Sequence, residues 1–215
     1  MTPALPLQIR RLGRRDYDEV WRAMQQFTAH RRAGTAAELW LVEHPPVFTL
    51  GQAGKEAHLL DTGDIPVVRS DRGGQVTYHG PGQLVCYLLL DLKARGIGIR
   101  TLVSAIETAV MALLGGYGII AERREGAPGV YVDGAKIAAI GLRVKKQCTY
   151  HGLSLNVAMD LRPFERINPC GYAGLPVTDM AAHGVDAAIT EIADKLAGQL
   201  AEALGYTVDP AESSK

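Results

Sequence analysis

Cysteine is scarce in this sequence: three copies occur among 215 residues, and none belongs to a CxxC pair. An odd number without paired spacing argues against a disulfide framework and against a structural zinc site. No apolar run reaches the roughly 18 residues of a membrane span, and the N-terminus lacks the apolar segment of a secretory signal. The sequence therefore predicts a cytoplasmic protein with free thiols and no membrane partner.

Net charge is also lacking, because 23 Lys and Arg residues balance 23 Asp and Glu residues. With 6% aromatic residues and no recognisable reading motif, we expect no nucleic-acid partner. The six histidines show no i,i+4 pair, and no carboxylates accompany them at the spacing of metal ligands, so we expect no metal site. One local imbalance exists: residues 8–32 hold seven arginines against three acids, which fits either an acidic partner or an ordinary solvated helix face.

The hydrophobic content of the chain, 47%, is enough to bury one sizeable core, so we expect a single domain over residues 1–215. Apolar residues at helical spacing predict three helices, at residues 16–32, 101–117 and 186–204. Runs typical of strands lie at residues 38–42, 65–69, 83–90, 129–132, 136–144 and 150–157. Strands that mostly follow one another, with helices at the ends and in the middle, predict an α+β fold.

Three details of this pattern are more specific. Asp133-Gly134 lies between two strand runs and predicts a tight hairpin, since both central positions of the favoured turn need a positive φ. Residues 83–90 are almost wholly apolar, which is typical of a strand covered on both faces. Residues 8–12 alternate in polarity and predict a further strand near the N-terminus.

Four stretches combine glycine, which lets backbone approach a ligand, with polar side chains that folding alone does not require. They are residues 72–83, 134–141, 150–157 and 167–174. The first exposes backbone N–H groups beside Arg72 and His79, which suits a carboxylate, phosphate or carbonyl group, although an ordinary hairpin loop fits too. In the second, Lys136 opens an apolar strand in which a lysine loses solvation, although a solvated lysine at a strand start is as common.

The third stretch has the alternation of a strand. That alternation places His151 on one face with Leu153, Leu155 and Val157. A histidine in this position is as readily a satisfied core residue as a catalytic one, and the spacing does not choose between the two roles.

The fourth stretch contains Cys170 between Pro169 and Gly171, and therefore in a loop. Cys86 lies inside an apolar strand, and Cys148 is not flanked by proline and glycine as Cys170 is. The thiolate is the reactive form of cysteine, and a nearby Lys or His cation is needed to populate it near neutral pH. Of the three thiols, Cys170 is the candidate nucleophile, with an inert loop cysteine as the alternative.

Four motifs, taken in order along the chain, resemble one known family. They are Arg72-Gly-Gly-Gln-Val-Thr-Tyr-His79, Asp133-Gly-Ala-Lys136, His151-Gly-Leu and Asn168-Pro-Cys170-Gly. At matching intervals, these motifs closely resemble the lipoyl(octanoyl) transferases, which move an octanoyl group from acyl carrier protein to a lysine of lipoate-dependent enzyme domains. The resemblance implies a mixed β-sheet flanked by helices, similar to the catalytic domain of biotin and lipoate protein ligases.

The resemblance also implies roles for individual residues. Cys170 would carry the acyl group as a thioester, and Lys136 would tune that thiol or move its proton. The substrate pocket would be lined by Arg72, Gly73, Gly74, Gln75, Val76, Thr77, Tyr78, His79, Ala139, Ile140, Gly141, Gly152, Leu153 and Ser154. His79 and His151 are further candidates for proton transfer or orientation.

The reaction of this family implies its partners. Acyl carrier protein would be the octanoyl donor, and lipoyl domains of 2-oxoacid dehydrogenases and glycine cleavage H protein would be the acceptors. No cofactor is implied, and the reaction would be the first step of endogenous lipoate cofactor biosynthesis, a form of protein lipoylation.

Two other interpretations stay open. An ATP-dependent lipoate or biotin ligase shares the motif at residues 72–79, but it typically has an acidic residue where this chain has Gly80 and does not depend on a cysteine such as Cys170. In a non-catalytic acyl-binding protein, Cys170 would simply lie in a loop.

Overall fold

The computed structural model describes residues 5–169 and 174–208. Within them the helices are α1 (Tyr17–His30), α2 (Leu92–Arg95), α3 (Ile99–Gly115) and α4 (Ile189–Leu204). The strands are β1 (Leu5–Arg14), β2 (Ala37–Glu43), β3 (Val47–Leu50), β4 (Val67–Arg69), β5 (Val76–His79), β6 (Gln83–Leu89), β7 (Gly129–Val132), β8 (Ala135–Lys145), β9 (Cys148–Asn156) and β10 (Tyr206–Val208). Short 3-10 turns lie in the connections, at Glu56–His58, Arg162–Arg166 and Ala181–His183.

Seven strands form one mixed sheet in the order β10-β1-β2-β6-β9-β8-β7. β1 runs parallel to both of its neighbours, whereas the pairs from β2 to β7 are antiparallel. A second sheet of three strands, β4-β3-β5, packs its own apolar cluster against Phe164 and Ile167. The α+β prediction and the mixed sheet are confirmed, and the small second sheet is an addition to them.

Helices cover both faces of the large sheet, and β6 shows the division most clearly. Leu84, Cys86 and Leu88 point into the cluster that α3 and α4 complete. The alternate residues, such as Val85 and Tyr87, join the cluster on the opposite face with apolar side chains of α1. Every residue of β6 is buried, which confirms the prediction of a strand covered on both faces.

The predicted helices and strands are found, with shifted ends. Asp16 is the N-cap of α1, and its carboxylate accepts hydrogen bonds from the backbone N–H groups of Asp18 and Glu19. Only the last part of residues 65–69 forms a strand, and β3, β5, β10 and α2 were not predicted. The hairpin at Asp133-Gly134 is confirmed, since both residues have positive φ, 47° and 86°.

A β-bulge distorts β8 next to this hairpin. Lys136 pairs with Tyr131, but Ala138 pairs with Val130, so Ile137 is an extra residue on the β8 side. The bulge sets the direction in which the side chain of Lys136 leaves the strand.

The arginines near the N-terminus are partly neutralised within the fold. Arg11 donates to Asp194 at 2.7 and 3.0 Å, and both Arg10 and Arg14 lie within salt-bridge distance of glutamates of β2. Residues 8–32 therefore offer less free positive charge than their composition indicates. In the part of the chain that the structure describes, every helix is too short or too polar to cross a membrane.

Candidate active site

A cleft with an empty volume of about 490 Å³ lies between the large sheet and β5. Its floor consists of small residues on one face of β8 and β9, where Ala139 pairs with Ser154 and Gly141 pairs with Gly152. β5 forms the facing wall, and Tyr17 of α1 closes one side.

The structure brings most of the predicted substrate-binding residues together in this cleft. Those that line it are Arg72, Gly74, Gln75, Val76, Thr77, His79, Ala139, Ile140, Gly141, Gly152, Leu153 and Ser154. Gly73 lines a neighbouring groove instead. The ring of Tyr78 packs between Phe48 and Phe164, with ring centroids 5.4 and 5.6 Å away, in the core of the small sheet.

Arg72 organises the wall of the cleft from within. Its buried guanidinium donates to the backbone carbonyls of Thr49, Gly73 and Gln75 at 2.6, 2.9 and 2.7 Å, and to the Thr49 hydroxyl at 2.9 Å. Hydrogen bonds from a buried cation are strong, so they hold the backbone of residues 72–75 in one shape. The close packing depends on Gly51, because a Cβ there would lie 2.4 Å from the carbonyl oxygen of Gly74.

His79 is a neutral imidazole at the cleft wall. Its Nδ1 lies 2.7 Å from Oε1 of Gln83, whose amide group is oriented by its donation to Asn156 at 2.9 Å. The amide oxygen accepts, so Nδ1 carries the proton and Nε2 is an acceptor. Burial, and then the neighbouring His44, lower the pKa of His79 to about 3.

The prediction for the orientation of His151 is wrong. Its φ of 60° turns the side chain to the opposite face from that of Leu153, so that the ring stacks on Tyr150 at 5.1 Å and lies edge-on to Tyr87. Its Nε2 lies 2.9 Å from Oδ1 of Asp71. Burial lowers the pKa of His151, although the Asp71 carboxylate acts in the other direction.

Asp71 was not singled out from the sequence, although it immediately precedes the Arg72 motif. Its carboxylate accepts hydrogen bonds from Trp21 at 2.7 Å, from His151, and from the hydroxyl of Tyr150. Burial raises the pKa of Asp71, but these three donors outweigh it and hold that pKa well below its usual value. The charged carboxylate thereby ties α1, β9 and the start of the Arg72 segment together.

Lys136 is 5% exposed and is held on both its backbone and its side chain. Its N–H donates to the carbonyl of Pro176 at 2.8 Å, and its carbonyl accepts from Thr178 at 3.1 Å. The Nζ atom donates to the carbonyl of Pro128 at 3.3 Å and lies 5.1 Å from the ring centre of Tyr131. The bulge and these contacts hold the amine beside Pro128 and the ring of Tyr131.

A smaller cavity adjoins the cleft. Thr77, Ala139 and Ser154 line both spaces, and Lys136 and Pro169 line the smaller one. Pro169 is the residue before Cys170, which itself lies outside the described residues. The predicted role of Cys170 therefore stays a prediction, and the structure places Lys136 beside the segment that leads to it.

The two described cysteines have the properties of structural thiols. Cys86 is fully buried, and burial raises the pKa of its thiol. Burial, followed by the negative charge of Asp91, also raises the pKa of Cys148. Neither residue lines the cleft.

His151 and Lys136 are well separated along the paired strands β8 and β9. His151 pairs with Leu142, six residues from Lys136 along β8, and one of those residues is the bulge. At about 3.4 Å per residue the two positions are roughly 17–20 Å apart along the strand. Among the described residues, no group of three or more His, Cys, Asp or Glu side chains is arranged to hold a metal ion.

The fold and this cleft define a catalytic domain of the lipoyl protein ligase type. Residues 16–201 match the family model described as the lipoyl protein ligase A/B catalytic domain. A solved Thermoplasma acidophilum structure, described as a lipoate protein ligase with bound lipoic acid, superposes with a TM-score of 0.77 at 17% identity, covering 95% of this chain and 88% of that one. At this identity the likeness establishes the shared fold.

Relatives of higher sequence identity show which family within this class the chain belongs to. An octanoyltransferase from Nitrosococcus oceani is 59% identical over 94% of this chain and 90% of its own length. One from Methylococcus capsulatus is 60% identical over 92% of this chain and 95% of its own length. The chain belongs to the octanoyltransferase family of acyltransferases.

Proposed function

We propose that this octanoyltransferase takes its acyl group from acyl carrier protein as a thioester on Cys170 and passes it to a lysine of a lipoyl domain. The observation that carries the proposal is the position of Lys136, which lines the small cavity that adjoins the cleft together with Pro169, the residue before Cys170. The acceptors proposed are lipoyl domains of 2-oxoacid dehydrogenases and glycine cleavage H protein, so that the reaction begins endogenous lipoate synthesis.

The reaction divides into two acyl transfers. In the first, the Cys170 thiolate attacks the carbonyl carbon of the donor thioester, a new carbon–sulfur bond forms, and the donor thiolate leaves and takes up a proton. In the second, the neutral amine of the acceptor lysine attacks the enzyme thioester, an amide forms, the amine loses a proton and the Cys170 thiolate is released. Lys136 is proposed to stabilise this thiolate and to exchange the proton at each step.

The cleft suits the acyl chain in length and polarity. Seven carbon–carbon bonds in a zigzag span about 9 Å, which is shorter than the separation between Lys136 and the level of His151. Burial of a methylene group contributes about 0.8 kcal/mol, so the cleft supplies several kcal/mol of binding. His79 and His151, both neutral, are proposed to shape the wall of the cleft. Lys136 alone among the three predicted groups is proposed to move the proton.

The ligase interpretation is less well supported. Gly80 occupies the position where such ligases typically carry an acid, and a Cβ at Gly80 would lie 2.3 Å from the hydroxyl oxygen of Tyr78. A larger side chain there would therefore displace Tyr78 from its packing between Phe48 and Phe164.

Mass spectrometry of the whole protein after mixing with octanoyl-acyl carrier protein, without ATP, tests the proposal. The wild type and a Cys148→Ala control are expected to gain one octanoyl group, whereas a folded Cys170→Ala protein gains none and loses transfer to the lipoyl domain. Substantial transfer by Cys170→Ala would rule out the thioester relay. A requirement for ATP would instead favour the ligase.

A further inference from the structure

The cleft and the smaller cavity meet at a place that we call the junction, lined by Thr77, Ala139 and Ser154. Ala139 pairs with Ser154 across β8 and β9, so these two residues form the floor of the junction. Thr77 belongs to β5 and forms the facing wall. Lys136 and Pro169 lie on the side of the smaller cavity.

Distances along the strands fit an octanoyl chain whose carbonyl group lies at the junction. Ala139 follows Lys136 by three positions, one of which is the bulge, so the two residues are roughly 7 Å apart along β8. On β9, the three positions from Ser154 back to His151 span about 10 Å. An octanoyl chain is about 9 Å long and therefore reaches from the junction to the level of His151.

A carbonyl group that reacts at the junction needs hydrogen-bond donors. In each acyl transfer the nucleophile adds to the carbonyl carbon, and the carbonyl oxygen becomes negatively charged in the tetrahedral intermediate. Donors placed in advance around this oxygen lower the barrier, and the loss of one of them slows such reactions by about 10²–10³-fold.

Most polar side chains near the junction are already committed to other partners. The amide group of Gln83 donates to the carbonyl of Tyr78 at 3.2 Å and to Asn156 at 2.9 Å. The amide group of Asn156 donates in turn to the carbonyl of Thr178 at 2.9 Å. His79 uses its proton at Nδ1 for Gln83, so its Nε2 is an acceptor.

The hydroxyl of Thr77 is an uncommitted donor. Thr77 and His79 lie on the side of β5 that faces the cleft, whereas the side chains of Val76 and Tyr78 join the apolar core of the small sheet. Within residues 5–169 and 174–208, the Thr77 hydroxyl takes part in no hydrogen bond. It is therefore able to donate its hydrogen to an oxygen atom at the junction.

A backbone donor lies next to this hydroxyl. In the described part of the chain β5 pairs with β3 alone. The N–H of Phe48 donates to Pro66 on the far side of β3, so the opposed residues Phe48 and Tyr78 exchange no hydrogen bonds. The N–H and carbonyl of Tyr78 therefore point away from β3, and the carbonyl is bound by Gln83, which lines the smaller cavity.

We propose that the hydroxyl of Thr77, with the backbone N–H of Tyr78 beside it, binds the thioester oxygen and stabilises its negative charge in both acyl transfers. The inference rests on the proposed function and adds a catalytic residue to it. As the sulfur or nitrogen nucleophile bonds to the carbonyl carbon, the C=O electron pair moves onto the oxygen, and both donors keep their protons. The pair returns when the bond to the departing sulfur breaks and a thiolate leaves.

Three variants test the role of the hydroxyl. Thr77→Val removes it and keeps the β-branched shape, and Thr77→Ser keeps it. Thr207→Val, on the exposed edge strand β10, is the matched control. For each folded protein, mass spectrometry measures the rate of octanoyl-enzyme formation from octanoyl-acyl carrier protein and the rate of transfer to an apo lipoyl domain.

Alkylation of Cys170 by iodoacetamide is measured alongside, because it separates the oxyanion from the thiol. The thiolate displaces iodide from a CH₂ carbon in this reaction, and no oxygen gains charge. A residue that only positions or activates the thiol would change alkylation and acyl transfer together.

Thr77→Val is expected to slow both acyl transfers by about 10²-fold, while Cys170 is alkylated with the wild-type rate and pH profile. Thr77→Ser should recover most of the loss, and Thr207→Val should match the wild type. Acyl transfer by Thr77→Val at a rate close to that of the wild type would overturn the inference. So would an equal loss in acyl transfer and alkylation.

Ser154 supplies the competing hydroxyl, on the floor of the junction. The backbone of Ser154 is paired on both sides, with Val85 and with Ala139, so no free N–H accompanies its hydroxyl. Ser154→Ala is therefore expected to slow transfer less than Thr77→Val does, and a larger loss would assign the oxyanion to the floor and contradict the inference. A wild-type protein that forms no octanoyl enzyme would overturn the proposed function, and this inference with it.

Discussion

Lys136 occupies a position that an unbroken strand would not give it. The extra residue Ile137 shifts the pairing of β8 with β7, and Lys136 then lies opposite Tyr131 with its amine near the carbonyl of Pro128. Its backbone is bound to Pro176 and Thr178, beyond the segment that carries Cys170. These contacts hold the side chain of Lys136 at the cavity that Pro169, the residue before the predicted nucleophile, also lines.

Removal of that cation should change the reactivity of the thiol. With Lys136→Ala, we expect the pH midpoint of Cys170 alkylation by iodoacetamide to rise by about one unit or more, because a nearby positive charge favours the thiolate. The rate of alkylation at neutral pH should fall about tenfold. Lys145→Ala, which removes an exposed lysine of the same strand, should leave the profile unchanged. An unchanged profile for Lys136→Ala would leave that residue a substrate-contacting or structural role.

Side-chain placement was the least predictable part of the site. Motif resemblance identified most of the residues that line the cleft, but strand periodicity put His151 on the wrong face, since a φ of 60° at a non-glycine residue is not visible in a hydropathy pattern. Asp71 escaped notice because its importance comes from donors on other elements, Trp21 and Tyr150, that are distant in sequence.

At the scale of elements, long amphipathic segments were predictable and short strands were not. α3, α4 and β6 carry periodicity over many residues, which local sequence reveals. β3 and β5 have four residues each and exist because they pair with each other and bury side chains such as Val76 against the small sheet's core. Such strands depend on tertiary context, which the sequence does not show. The glycine-rich residues 72–83 were therefore expected to form a loop throughout, although β5 lies among them.

Two glycines in regular elements have opposite expected effects when replaced. A Cβ at Gly152 would lie 2.0 Å from the carbonyl oxygen of Cys86 and 2.7 Å from a methyl group of Leu88, so neighbouring β6 itself requires glycine there. Gly152→Ala should lower the free energy of unfolding by about 2–3 kcal/mol. Gly198→Ala, at an exposed position of α4 with no atom within 4 Å of the new Cβ, should raise it by about 0.5–1 kcal/mol. Urea unfolding measures both, and a neutral Gly152→Ala would contradict the clash.

At the scale of the whole molecule, the region between the two sheets is built around uncharged imidazoles. His44 donates from Nδ1 to the carbonyl of Arg15 at 2.7 Å and accepts at Nε2 from the hydroxyl of Tyr87 at 2.7 Å. Burial lowers the pKa of His44 to about 4, as it lowers that of His79 to about 3. The positively charged Arg72, buried in the same region, further lowers the pKa of His79.

This arrangement makes the stability of the fold depend on pH. Below about pH 6.5, His44 and His79 take up protons in the unfolded chain but not in the folded one. The free energy of unfolding therefore decreases as the pH falls from about 6.5 toward 4. Each buried neutral histidine contributes a slope of up to about 1.4 kcal/mol per pH unit. Acidic groups with lowered pKa, such as Asp71, add their loss only at lower pH, near the ordinary range of carboxyl groups.

Urea unfolding at pH 6.5, 5.5 and 4.5 measures this slope. We expect His44→Gln to reduce it by about 1 kcal/mol per pH unit, whatever its stability at neutral pH, because one proton-linked group has been removed. His30→Gln, at an exposed position at the end of α1, should leave the slope as in the wild type. Equal slopes for the wild type and His44→Gln would mean that His44 titrates alike in the folded and unfolded chains, and that the neutral imidazole between the sheets is not maintained by burial.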